Sequence, residues 1–190
     1  METQRKDWRV IHRIDSQNKK NNSGTIINFI DVIEPTLSKK SINYGKVRID
    51  FIEYYNKDSG NQNVMLSHYV DIADMLDICE RMLMYYPMDK SYNIWTEYKG
   101  SARKESDKLP YDFISRTLKI DHNPYNGKSY IGVSFIHQGG RQSDTGAVMP
   151  IKDSESIKGS FSSSQDEFRK AALMIRAYIQ AKLSATIPNL

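Results

Sequence analysis

The stretch Gly45-Lys46-Val47-Arg48-Ile49-Asp50-Phe51-Ile52-Glu53-Tyr54-Tyr55 holds the residue types best suited to gripping a polyanion. A strand of the same kind returns 82 residues later as Gly127-Lys128-Ser129-Tyr130-Ile131-Gly132-Val133-Ser134-Phe135-Ile136-His137. Alternating polarity marks both as half-buried β-strands. In the first, Val47, Ile49, Phe51, Glu53 and Tyr55 share one side, and Lys46, Arg48, Asp50, Ile52 and Tyr54 share the other. The second set presents two cations for phosphates and an aromatic ring on which a base can stack, the combination used to hold single strands. In the second copy the outward set is Lys128, Tyr130, Gly132, Ser134 and Ile136. Lysine and tyrosine are also common on any solvated sheet face, so the pattern alone weighs the two readings about equally.

Two further basic and aromatic stretches extend such a path: Arg9 and Arg13 beside Trp8, and Trp95 with Lys99 running toward Arg103. For the tryptophans the competing reading is burial in the core, the commoner fate of large aromatics. A different chemistry is spelled by Pro87-Met88-Asp89 and Glu97-Tyr98-Lys99. In metal-dependent nucleases, two carboxylates hold a divalent cation and a lysine positions water. Such short patterns arise by chance, and Asp89 falls between the two repeats, so Asp89, Glu97 and Lys99 remain the lesser alternative. His12, His68, His122 and His137 have no spacing that suggests a metal site, Cys79 has no neighbouring ligand, and no phosphate-cradling glycine loop or nucleophile elbow is present. The expectation is a non-catalytic protein without metal or cofactor.

The elements that position these residues follow from the same patterning. Residues 8–15 and 25–34 are rich in β-branched and aromatic residues and read as strands, the second closed by Pro35. After the strand at 46–55 comes a turn at 56–61, a short strand at 64–66, and Ser67 as a helix N-cap. Ile72, Met75, Leu76, Cys79, Met82, Leu83 and Tyr86 recur at steps of three and four, an apolar helix stripe that ends at Pro87. The second half repeats the plan with strands at 92–99, 113–121, 130–137 and 147–149. Ser164 with Glu167 forms a capping box, and Phe168, Ala171, Ala172, Ile175, Tyr178 and Ile179 make the last stripe. Residues 151–163, rich in serine and glycine, read as an exposed inserted loop, and 184–190 as a frayed tail. The fold class is therefore α+β: two tandem units of four antiparallel strands and a helix, residues 1–90 and 91–190, forming one interlocked domain.

With 39% hydrophobic and 26% charged residues, the chain has the composition of a folded globular protein rather than a disordered one. Its net charge of +4 has the sign that a polyanionic partner requires. No apolar run approaches the roughly 18 residues of a membrane span, and METQRKDWRV has no signal-peptide core, so a cytoplasmic protein that avoids membranes is expected.

Gly45-Lys46-Val47, Ile49-Asp50 and Glu53-Tyr54-Tyr55, followed by an Asp58-Ser59-Gly60 turn, Met65-Leu66-Ser67 and an amphipathic helix, resemble the single-stranded-DNA-binding domain of the transcriptional positive coactivator four. Two such units in one chain resemble the Whirly branch of the same superfamily, including small phage or mobile-element members. The specific part of the resemblance covers residues 45–83. It implies a Whirly-like pseudo-dimer that binds single-stranded DNA with little sequence preference in replication, recombination or transcription, and that associates into homo-oligomers such as tetramers. RNA fits the same surface. By resemblance, Lys46 contacts the backbone and Tyr55 stacks on a base, which requires a twist or bulge, because strict alternation turns Tyr55 inward. Ile52 stands where the family carries an arginine, a charge that Arg48 supplies instead, and His137 replaces the terminal aromatic of the second copy. The competing non-catalytic reading is a structural or protein-binding module of a mobile element.

Overall fold

The computed structural model describes residues 9–18, 23–34, 36–37, 42–55, 62–87, 89–105 and 107–186. Trp8, the loop lysines Lys19, Lys20, Lys39 and Lys40, the expected turn at 56–61 and the end of the expected tail lie outside the described residues. The first half contains β1 (Val10–Asn18), β2 (Ser23–Val32), the short pair β3 (Thr36–Leu37) and β4 (Ile42–Asn43), β5 (Lys46–Tyr54), β6 (Gln62–Asp71) and α1 (Ile72–Leu83). The second contains β7 (Tyr92–Ala102), β8 (Phe113–Tyr125), β9 (Lys128–Gln142), β10 (Val148–Pro150), β11 (Ser156–Ser164) and α2 (Gln165–Thr186). All strand pairs are antiparallel. The first sheet runs β1-β2-β5-β6; β7-β8-β9-β11 repeat that order in the second, with β10 also paired to the far end of β9. Two antiparallel sheets with a helix after each make this an α+β fold.

The repeated Gly-Lys has a backbone cause. Gly45 (φ +78°) and Gly127 (φ +68°) both enter their strands in the left-handed region, where glycine carries no Cβ penalty. Asn126, at φ +48°, precedes Gly127 in the β8–β9 turn, the dihedral pattern of a tight primed hairpin. Beyond these turns Val47, Ile49 and Phe51 of β5, and Ile131, Val133 and Phe135 of β9, point into one core as their alternation requires.

That core is shared. Phe51 and Phe135 meet with ring centroids 6.0 Å apart, so each sheet closes the inner face of the other. The approach is close enough that a Cβ on Gly159 of β11 would lie 2.4 Å from the Phe51 ring. Gly159→Ala is therefore expected to destabilise the fold by about 1–3 kcal/mol through overpacking. A urea midpoint no lower than wild type would show that the sheets can separate to admit a methyl group. The helices pack on each other, and α2 satisfies the end of α1: Arg169 Nη1 donates to the Leu83 carbonyl at 3.0 Å and Gln165 Nε2 to the Met84 carbonyl at 2.7 Å. These are carbonyls that the helix itself leaves without donors. Cys79 is buried on α1, where desolvation pushes its thiol up to about 12, consistent with a small core side chain.

Several expectations are corrected. The short strand at 64–66 continues to Asp71, because Leu66, His68 and Val70 keep alternating into the core; Ser67 is thus a strand residue paired with Asp50, and Asp71 occupies the N-cap position of α1. Helix α1 ends at Leu83, leaving Tyr86 beyond it, and Ile78 joins its buried stripe. The fourth strand of the second sheet is β11, not the segment around 147–149. Residues 156–164 are therefore a strand instead of an exposed loop, with Gly159 and Phe161 buried. At α2 the cap and most of the stripe hold: the Glu167 amide donates to Ser164 Oγ at 3.3 Å while the Glu167 carboxylate accepts from Lys170, and Phe168, Ala171, Ala172, Ile175 and Ile179 are buried with Tyr178 partly so. Among the described residues no helix is long and apolar enough to cross a membrane.

Candidate nucleic-acid interface

The cations of the opening strand are held by acids. Lys46 Nζ donates to Asp71 Oδ1 at 2.5 Å. Arg48, its side chain 12% exposed, pairs at 3.0 Å with Asp50, which is buried on the face expected to be open. Burial raises the Asp50 carboxyl, against the opposing effects of a Ser67 hydrogen bond and Arg48. Ile26 and Ile30 are buried on that same face, so the first sheet is covered on both sides over much of its area. Neither cation is the free outward group that alternation implied.

Lys99 is likewise drawn inward. Its Nζ reaches Glu97 at 2.7 Å, the Tyr69 carbonyl at 2.6 Å and Asp71 at 3.3 Å, and Glu97 Oε2 lies 2.9 Å from His68 Nε2. Burial pushes the Glu97 carboxyl up, but hydrogen bonds from His68 and Lys99 outweigh it and hold the group below its ordinary range. Lys46, Asp71, Lys99, Glu97 and His68 thereby form one chain of contacts linking β5 and β6 to β7. This arrangement also bears on the nuclease pattern. Among the described residues the carboxylates that converge are Asp71, Asp74 and Glu97, without Asp89, and Lys99 already supplies positive charge to two of them.

Trp95 packs partly buried against the core under the Arg81 guanidinium, 5.5 Å from the ring centroid, which removes it from the proposed path. A register shift between Asn93 and Trp95 puts Trp95 opposite the buried Ile120. Arg9 and Arg13 remain exposed at β1, Arg13 paired with Asp15 at 3.3 Å.

The tyrosine pair exchanges its expected exposures although β5 keeps its register against β2, where Tyr54 pairs with Gly24 on the covered outer face. Tyr54, expected outward, is 8% exposed, whereas Tyr55 is 49% exposed. Tyr55 follows the last residue of β5 and is thereby released from the inward phase of the strand.

The second sheet keeps an open outer face. Tyr130, Gly132, Ser134 and Ile136 alternate with the buried Ile131, Val133, Phe135 and His137. Register places Asp121, Lys119 and Thr117 of β8 beside them, then Thr96 and Tyr98 of β7; on the other flank lie Ser162, Ser160 and Lys158 of β11. Tyr98 is 71% exposed, and among the described residues Lys128 and Lys158 have no ion-pair partner. The acid of this face, Asp121, is held by Lys119 at 2.8 Å and by Asn93 at 3.1 Å. Val148 of β10 sits over Gly100 and Gly140 and closes one end of the face. Tyr98, Lys119 and Lys158 were missed in the sequence. Alternation could have supplied Tyr98 once the Trp95 shift was known; Lys158 required recognising β11 as a strand.

No family model matches the chain, and no curated protein matches it in sequence. Solved structures similar to it include the plant transcriptional regulator PBF-2, with 11% identity, a TM-score of 0.47, and coverage of 96% of this chain and 88% of that one. WHY3 from Arabidopsis thaliana matches with 9% identity, a TM-score of 0.49, and coverage of 94% and 96%. WHY1 from Arabidopsis thaliana matches with 9% identity, a TM-score of 0.45, and coverage of 96% and 92%. These neighbours are Whirly proteins.

Proposed function

We propose that this chain is a non-catalytic protein that binds single-stranded DNA with little sequence preference across the outer face of the second sheet. The observation that carries the reading is the composition of that face: exposed Tyr98 and half-buried Tyr130 for stacking, Lys128 and Lys158 without acidic partners among the described residues for phosphates, and serine and threonine hydroxyls between them. Stacking serves any base and the cations track the backbone, so affinity follows strand length more than sequence. Duplex DNA, with its bases already stacked, cannot offer them to Tyr98. The reading fits a role where replication, recombination or transcription of a phage or mobile element exposes single strands. Homo-oligomers are part of the proposal, because Met84, Tyr85, Leu173 and Met174 are exposed on and beside the helices.

Anisotropy titration with oligo(dT), the matching duplex and oligo(U) tests this. Tyr98→Ala is expected to weaken oligo(dT) binding by about 1–3 kcal/mol. If about four to six phosphates are neutralised, the log-log salt slope is about −3 to −4, shallower in Lys128→Ala/Lys158→Ala. A flat salt response, or equal affinity for duplex, would sink the proposal. Lys46→Ala/Tyr55→Ala separates the two sheets: a larger loss there than in the second-sheet variants returns the site to β5.

A further inference from the structure

We propose that the end of the first sheet where β1 meets β2 carries a pocket that accepts one nucleobase and selects guanine. This rests on the single-strand reading above but concerns a separate site on the other sheet. The pocket has a volume of about 210 Å³ and lies where the ends of β1, β2 and β5 meet, lined in part by Gln17, Thr25, Glu53, Tyr54 and Tyr55. That is below the roughly 300–1,000 Å³ of sites for drug-sized ligands and on the scale of a single planar heterocycle.

Its shape comes from a close approach that glycine permits. A Cβ on Gly24 would lie 2.5 Å from the Tyr54 hydroxyl oxygen, so the phenol ring crosses β2 at a position where no other side chain fits. Tyr55, one residue past the end of β5, stands at the rim, exposed and able to cover a bound ring.

The chemistry of the lining chooses the ligand. Among the described residues of the lining Glu53 is the only charged side chain, and the rest are hydroxyls, an amide and glycine. A described lining with a carboxylate and no cation disfavours phosphate and favours a neutral ring with N–H donors. An ionised carboxylate only accepts hydrogen bonds, through two oxygens side by side. Guanine alone among the DNA bases presents two adjacent donors, N1–H and N2–H, on its Watson–Crick edge, so it alone can pair with Glu53 in a two-bond fork. Cytosine and adenine offer one exocyclic amine flanked by an acceptor, and thymine one imide N–H. The general grip would thus lie on the second sheet, and a single guanine preference on the first.

The test compares oligo(dT), the same oligomer with one dG, and the same oligomer with one deoxyinosine, on the full chain and on Glu53→Gln and Tyr98→Ala. The expected result is about fivefold or greater preference for the dG oligomer, reduced for deoxyinosine, which lacks the N2 amine, and abolished in Glu53→Gln while oligo(dT) affinity stays unchanged. Guanosine alone should shift the amide resonances of Thr25 and Glu53 saturably. Equal affinity for all three oligomers in the wild type, or a preference that survives Glu53→Gln, overturns the pocket. Those results leave oligo(dT) binding and its loss in Tyr98→Ala intact if the general reading is right. Saturable guanosine shifts in a protein that ignores oligo(dT) would instead support the pocket for a free nucleoside and overturn the single-strand reading.

Discussion

Phe135→Ala is expected to lower folding stability by about 3–5 kcal/mol, seen as a fall in the urea midpoint at constant m-value. Phe135 is fully buried on β9, and its ring faces Phe51 of β5 from 6.0 Å across the junction of the two sheets. Truncation removes the ring's own transfer free energy and leaves a cavity that neither sheet can collapse into without shifting its strands. Phe51→Ala attacks the same contact from the other side. In a double-mutant cycle the two should couple by about 0.5–1.5 kcal/mol, the part that belongs to the ring pair itself. A Phe135→Ala loss under about 1 kcal/mol would show that the sheets are held chiefly by their helices.

Acidification from pH 6.5 toward 4 is expected to cost about 3 kcal/mol of stability through His137 alone. This imidazole lies at the buried junction, facing Arg116, Asp107, His68 and the Ser67 backbone, with Glu97 behind His68. Burial lowers its proton affinity, Arg116 and His68 lower it further, and Asp107 and the Ser67 hydrogen bond oppose them, leaving it pushed down to about 4. Above pH 6.5 the ring is neutral in both folded and unfolded chains and contributes nothing. Below that, the unfolded chain takes up a proton that the folded one refuses, so stability falls across the window. His12 and His122, both lowered by burial, add in the same direction. Asp31, Asp71, Glu97 and Asp107 act later: burial raises each, but their hydrogen-bonded cations and amides outweigh it. Their stabilisation is present above the ordinary carboxylate range and is lost as pH falls through the lowered values. Urea midpoints at pH 7, 6, 5 and 4 for wild type and His137→Gln check the first window. The variant should give a flatter profile between 6.5 and 4, and an unchanged slope would remove His137 as the cause.

Comparison of β11 with α2 shows where local sequence suffices. The Ser164 cap and the apolar stripe of α2 are contacts within a few residues, and the structure reproduces them. β11 reads Ser-Ile-Lys-Gly-Ser-Phe-Ser-Ser-Ser, poor in the residues that favour strands, and is a strand because β9 supplies its ladder and Phe51 its packing partner at Gly159. The site divides the same way. Alternation assigned Val47, Ile49 and Phe51, and Ile131, Val133 and Phe135, to the core, and the outward set of β9 kept its place. Tyr54 and Tyr55 exchanged exposures because the face that Tyr54 keeps is covered, its ring lying against Gly24 of β2, and because Tyr55 falls past the last residue of β5; nothing in β5 itself marks either.

The sequence by itself determined a duplicated meander-plus-helix plan, the inward phase of its central strands and the caps of its last helix, since each depends on neighbours within a turn or along one strand. Only the tertiary structure decided which cations are free. Lys46, 25 residues from Asp71, and Lys99, 28 from it, are neutralised by an acid that chain distance conceals, while Lys128 of β9 and Lys158 of β11 stand toward opposite ends of one sheet face with no ion-pair partner among the described residues. Charge pairing across strands is a property of register, and register is set by the whole sheet.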